Sequence, residues 1–135
     1  MVCYANFTTC LFCFGGPVTK ALYARLEPKI GIEMLQLRPS CEWCDKDLPS
    51  DSLDACICSY ECTFCSDCVE NVFSNVCPNC GGGFVSRPIR PKNEYRTGVS
   101  VKCQPPSNDR KISKYSLDEI VDFVKSIKAI EPNKR

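Results

Sequence analysis

The sequence predicts a small α+β domain folded around metal, with two four-cysteine sites and a C-terminal helix, and three observations predict it. Nine of the thirteen cysteines fall between residues 41 and 80, as Cys41-x2-Cys44, Cys56-x-Cys58, Cys62-x2-Cys65-x2-Cys68 and Cys77-x2-Cys80. No histidine occurs anywhere. A capping box, Ser116-Leu-Asp-Glu119, opens an apolar stripe near the C-terminus. Cysteines separated by two residues suit a tight knuckle whose backbone N–H groups point at the sulfurs, and two such pairs close a tetrahedral Zn²⁺ shell. Eight of the nine sulfurs complete two shells, so the expected cofactor is two Zn²⁺.

Composition excludes several alternatives. The thirteen cysteines are an odd number, so a complete disulfide framework leaves one thiol over. No basic stretch precedes the apolar run of residues 1–14, and that run is too short to span a bilayer. The expected location is therefore a reducing cytoplasm, without membrane insertion. The absence of histidine removes Ser-His and Cys-His nucleophile pairs and the His-containing shells of catalytic zinc. Closed, structural metal sites without catalytic residues are the expectation. Redox catalysis by Cys-x2-Cys needs a larger βαβ scaffold than this cysteine-dense chain can build.

Charge divides along the chain. Residues 34–86 carry two basic and eight acidic groups, whereas residues 87–135 carry twelve and six. Four thiolates and one Zn²⁺ add further negative charge at each site, so the loaded core repels a phosphate backbone.

Residues 1–33 read as an N-terminal extension, and Met34, directly before the array, reads as an internal start that would make them a misassigned one. Within them Cys10-x2-Cys13 is half a metal site without a second half. Residues 34–91 form the cysteine-rich domain. Cys41-Glu-Trp-Cys44 is the first knuckle, and Asp45 to Asp51 supplies turn formers. Ala55 to Tyr60 reads as a short strand that completes a hairpin. Asp67, as N-cap with Glu70 three residues on, opens a short helix. Val69, Val72, Phe73 and Val76 form its apolar face, and its positive end lies beside Cys68 and favours that thiolate. Knuckle, hairpin and a second Cys-x2-Cys entering a helix make up a treble-clef unit.

The spacing from Cys58 to Cys80, C-x3-C-x2-C-x2-C-x8-C-x2-C, resembles the interleaved cross-brace of RING fingers, with Cys62 in the place usually held by histidine. That resemblance implies one Zn²⁺ on Cys41, Cys44, Cys65 and Cys68 and the other on Cys58, Cys62, Cys77 and Cys80, with Cys56 spare. A rival register uses Cys56, Cys58, Cys62 and Cys65 and leaves out Cys68. The first is preferred because Phe64 precedes the knuckle cysteine as aromatics do in RING fingers and because Cys68 gains the helix terminus.

Asp45-Lys-Asp-Leu-Pro49, Ile57-Cys-Ser-Tyr-Glu-Cys-Thr-Phe-Cys65, Cys77-Pro-Asn-Cys-Gly-Gly82 and Arg87-Pro-Ile-Arg-Pro91 resemble a small bacterial cysteine-rich family, domain-of-unknown-function family 1272. The likeness runs from Met34 to about Pro91 and more loosely to Ile130-Glu-Pro-Asn-Lys-Arg135. Trp43 and Cys56 depart from the expected pattern. The family implies no activity.

Beyond the array, Arg87-Pro-Ile-Arg-Pro91 favours an extended path with its guanidinium groups laid back across the acidic core. Residues 92–115 read as a polar linker with a short strand over Val99-Ser-Val-Lys-Cys103. Residues 116–131 read as an amphipathic helix, with Leu117, Ile120, Val121, Val124 and Ile127 in one stripe widened by Phe123 and Ile130. A helix of that length is marginal alone, so it docks on the zinc core or on its copy in a homodimer.

The leading functional expectation is a non-enzymatic zinc-binding module that mediates macromolecular interaction, with a protein as partner. A RING-like ubiquitin-ligase adaptor is one alternative, since Trp43 and Pro78 occupy the contact positions of RING fingers, but the bacterial character of the family opposes it. Nucleic-acid binding through the basic C-terminal segment is the other, and the acidic core opposes that. For Trp43 the bland reading, an aromatic packed on the core, outweighs a recognition role.

Overall fold

A computed structural model describes residues 34–135; the expectations for residues 1–33, including Cys10-x2-Cys13, lie outside the described residues. The centre of the fold is a three-stranded antiparallel sheet in the order β2-β1-β3. β1 spans Ala55–Ile57, β2 spans Thr63–Cys65 and β3 spans Val85–Ser86. β1 pairs with β2 as Ala55↔Cys65 and Ile57↔Thr63, and with β3 as Cys56↔Ser86 and Ile57↔Val85. The hairpin partner of the predicted strand is therefore the segment after it, and the strand stops at Ile57. The loop before β1 is tied down separately, by a single bridge between Ser40 and Asp47.

Helix α1 (Ser66–Asn71) follows β2 without a break. Asp67 is not its N-cap; Cys65 is, with no side-chain cap. The reason lies upstream, because β2 stays paired to β1 through Cys65 and the Ser66 amide donates to the Asp54 carbonyl at 3.0 Å. Asp67 is left in the first turn, 3.7 Å from the Lys46 ammonium. The helix also ends before its predicted apolar face does. Ser74 and Asn75 take left-handed conformations, with φ of 46° and 60°, and turn the chain so that Val76 re-enters the core beside Cys77. Val69, Phe73 and Val76 are buried as expected, while Val72 is half-buried.

Aromatic rings fill the space between sheet and helices. Phe64 meets Phe73 edge-on at 4.8 Å and Phe84 at 5.4 Å, and Trp43 meets Phe73 at 6.1 Å. These are favourable edge-to-face separations, and they make Trp43 a half-buried core neighbour.

Helix α2 (Leu117–Ile127) opens on the predicted capping box. The Ser116 hydroxyl accepts from the Glu119 amide and the Glu119 carboxylate accepts from the Ser116 amide at 2.8 Å. The carboxyl is held below its usual range by those Ser116 bonds, amide first. The helix stops at Ile127, short of the predicted end at residue 131, and the Ile130 amide closes a tight turn onto the Ile127 carbonyl. Ile120 and Val124 enter the same core as the cysteines. Gly81 passes beside α2 with a φ of +78° that favours glycine, while an added Cβ would meet Ile127 at 3.4 Å and Phe123 at 3.5 Å, ordinary contact distances. Replacing Ile120, 1% exposed, by alanine is expected to cost about 2–4 kcal/mol in urea denaturation and to speed amide exchange from Ile120 to Ile127. Peptide-like exchange there in the unaltered protein would contradict the docked helix.

Residues 88–115 have no strand at Val99–Cys103. Val99 makes an isolated bridge to Arg96, and the chain then turns, with the Cys103 and Gln104 amides bonded to the Ser100 carbonyl. The Gln104 side chain donates to the Gly98 carbonyl at 2.6 Å, closing a loop that a strand could not form. This segment is laced to the chain before the sheet through Ser107 to Gln36 and Ser113 to Glu42. Arg110, and not the expected Arg87 and Arg90, pairs with acidic residues of the core, Asp45 and Asp47. Arg87 and Arg90 bond carbonyl oxygens instead.

Candidate metal centre

The first group of sulfurs is assembled by three local devices. The knuckle turns because the Asp45 amide bonds the Cys41 carbonyl and Asp45 adopts φ 59°, which brings Cys41 and Cys44 together. Cys65 ends β2, and Cys68 follows in the first turn of α1. All four sulfurs lie within 4.8 Å of one another, with Cys44 and Cys65 at 3.7 Å.

The second group forms at the opposite end of the β1–β2 hairpin. Glu61, at φ 62°, allows the tight turn in which the Glu61 amide bonds the Cys58 carbonyl, and this places Cys58 and Cys62 together. Cys77 arrives from the loop after α1, its amide bonded to the Gly82 carbonyl at 2.8 Å. Cys58, Cys62 and Cys77 have sulfurs within 4.8 Å of one another. Cys80 is exposed and lies outside that limit. Its sulfur nevertheless accepts the Gly82 amide at 3.4 Å, the same two-residue offset by which Cys58 accepts Tyr60 at 3.4 Å.

The remaining sulfurs stand apart among the described residues. Cys56 belongs to neither group, so the rival register of Cys56, Cys58, Cys62 and Cys65 is not brought together. Cys65 is held in the first group at the other end of the hairpin, and Cys56, half-buried between the buried Ala55 and Ile57, packs against the core without joining either group. Burial, then the charges of Asp54 and Glu70, pushes its thiol up. Cys103 is exposed, with its sulfur 3.7 Å from the Glu94 carboxylate.

Crowded sulfurs divide their protons unequally. The Cys62 and Cys77 thiols hydrogen-bond Cys58 and bring it down to about 3. Bonds to Cys58 and Cys62 hold the Cys77 thiol far above its ordinary range. Burial pushes Cys65 up to about 11. In Cys44 burial acts upward but is outweighed by the Lys46 amide and the neighbouring thiols, so the group is lowered. At Cys68 burial first, then the Cys65 sulfur, raises the thiol well above the ordinary range. Four such sulfurs ionise together only when a cation shares the site.

Sequence reasoning missed Glu42, inside the first knuckle. It is 4% exposed, pairs with Arg38 and accepts the Thr63 amide at 2.8 Å. The available signal was a carboxylate between two cysteines, with an arginine four residues earlier.

A match to the family described as protein of unknown function (DUF1272) spans residues 34–90. An uncharacterized protein of Rhizobium meliloti (strain 1021) is 62% identical over 58 residues, covering 43% of this chain and 69% of that protein. The chain belongs to this family. The DUF1272 match contains both sulfur groups and Arg87, and it ends before α2 begins. No solved structure matches the chain. Among the described residues no helix is long and apolar enough to cross a membrane.

Proposed function

We propose that this DUF1272 protein is a non-enzymatic, cytoplasmic zinc-binding module with two structural Zn²⁺ ions, whose folded surface serves interaction with another protein. The observation that carries the reading is the first sulfur group. A tetrahedral shell with Zn–S bonds of about 2.3 Å puts its sulfurs about 3.8 Å apart. Four sulfurs within 4.8 Å of one another, one pair at 3.7 Å, fit that shell. Cys41, Cys44, Cys65 and Cys68 would hold this ion. Cys58, Cys62 and Cys77 would hold the other, with Cys80 as fourth ligand because its sulfur carries the same amide bond as Cys58. All-thiolate donor sets suit zinc, which needs no open position when its role is to hold a fold. The order of knuckle, β1–β2 hairpin and α1, with Cys68 in the helix, supports the treble-clef assignment.

The interaction part of the proposal rests on surface chemistry. Leu117, Phe123 and Ile130 are exposed on and after α2. Three of the twelve basic groups of residues 87–135, Arg87, Arg90 and Arg110, are engaged within the chain, which reduces the charge open to nucleic acid. Pull-down with the zinc-loaded protein, with and without nuclease and with Phe123→Ser as control, tests this part; capture that nuclease abolishes would overturn it.

Elemental analysis tests the metal. Two zinc per chain are expected, and fewer than two metals in a folded sample would refute the count. Cys56→Ser should keep both. Cys62→Ser and Cys68→Ser should each lose one ion and destabilise the domain by several kcal/mol, on the order of half or more of the binding free energy of about 10 kcal/mol. Full retention in Cys68→Ser would sink the pairing.

A further inference from the structure

Glu42 is a buried carboxylate lying between two cysteines of one sulfur group, yet its partners belong to both. Its own amide donates to the Thr63 carbonyl at 2.9 Å, and its Oε1 accepts the Thr63 amide at 2.8 Å. Thr63 directly follows Cys62 of the second group and precedes Cys65 of the first by two residues. Its Oε2 faces the Asn79 side-chain amide at 3.4 Å, and Asn79 lies between Cys77 and Cys80. Arg38 supplies the cation. A carboxylate beside two anionic thiolate shells is unfavourable unless every donor around it is in place. The Thr63 and Asn79 donors are placed by closure of the hairpin and of the second knuckle, which are the same events that gather the second sulfur group. Loss of the second group's order therefore leaves the carboxylate without those donors, and loss of the first knuckle's order displaces the carboxylate itself.

Resting on the zinc reading above, we propose that Glu42 is a positioning residue that couples the two metal sites, so that they load as a unit. Coupling of about tenfold or more is the ordinary range for linked sites. For two otherwise equal, independent sites the one-metal form reaches about half of the chains at half-saturation, and tenfold coupling lowers it to about a quarter. Native mass spectrometry of the full chain, titrated with Zn²⁺ to half-saturation, reads these populations directly. The unaltered protein is expected to show mainly zero and two metals. Glu42→Gln keeps an acceptor for Thr63 but loses the Arg38 pair, and it should raise the one-metal form towards half. A purely structural role would weaken both sites alike and leave the distribution unchanged, which would overturn the proposal. Asn79→Ala removes only the contact to the second knuckle and guards against a Glu42 variant that fails to fold; it should raise the one-metal form part-way, and no change there would also overturn the coupling. Two ions bound with a statistical distribution in the unaltered chain would refute coupling and leave the zinc reading standing, whereas binding of no metal at all would refute both.

Discussion

Chelation of the purified protein is expected to unfold it. Six of the fourteen buried residues in the core cluster are cysteines, and the strands are two or three residues long. Neither such strands nor a six-residue helix is stable alone. A small apolar core of this kind supplies about 3–5 kcal/mol, whereas each structural zinc supplies on the order of 10 kcal/mol. Removal of both ions therefore exceeds the whole stability of the domain. Trp43 is the single tryptophan, it lies between Cys41 and Cys44, and it packs on Phe73 at 6.1 Å, so its fluorescence reports the event. The expected result is a solvent-exposed Trp43 emission after a strong chelator, loss of amide protection in α2, and recovery of both on adding zinc. Native fluorescence and protection in a sample shown to contain no metal would contradict the account.

The second large effect is expected at Arg87. Its guanidinium is buried, with the residue 4% exposed, and donates to the carbonyls of Arg38 at 2.7 Å, Leu48 at 3.1 Å and Pro49 at 2.5 Å. Burial lowers its pKa, yet a guanidinium stays charged at any ordinary pH. The planar fork thus gathers the segment before the first knuckle, the turn after it, and β3. Its own amide extends the sheet by bonding the Ala55 carbonyl at 2.8 Å. Arg87→Ala leaves three carbonyls without their charged donor, and a loss of about 3–5 kcal/mol is expected. Arg87→Lys, with a single ammonium, should recover part of this, because it cannot reach all three in one plane. Urea denaturation at fixed free zinc separates the variants, with metal content unchanged at both sites. A change of less than about 0.5 kcal/mol in Arg87→Ala would show that the clamp contributes nothing.

Local devices were legible because their chemistry is confined to a few residues. The Ser116–Glu119 box needs three residues of helix and is present. The start of α1 was misplaced because the competing influence, the Asp54 carbonyl, lies on another segment and captures the Ser66 amide. Val99–Cys103 alternates like a strand but has no neighbour to pair with beyond Arg96, and the Gln104 side chain closes it into a turn. Alternation shows what a segment can do, and pairing decides whether it does so.

The sequence by itself determined that Cys41 and Cys44, Cys62 and Cys65, Cys65 and Cys68, and Cys77 and Cys80 have knuckle spacing, that histidine chemistry is absent, and that a capped helix follows near the C-terminus. The spacing carries over where one turn of chain brings both sulfurs into one group, at Cys41–Cys44 and Cys65–Cys68, whereas Cys62 and Cys65 part into separate groups and Cys80 lies outside the limit that gathers Cys77. The tertiary structure alone decided which sulfurs meet. With β2 registered as Ala55↔Cys65, Cys65 and Cys68 meet Cys41 and Cys44, while Cys56 packs half-buried against the core and joins neither group. Only the closed fold brings Glu42 to Thr63 and Asn79, and Arg87 to carbonyls about forty to fifty residues earlier in the chain, because such contacts depend on where distant segments cross and leave no local trace.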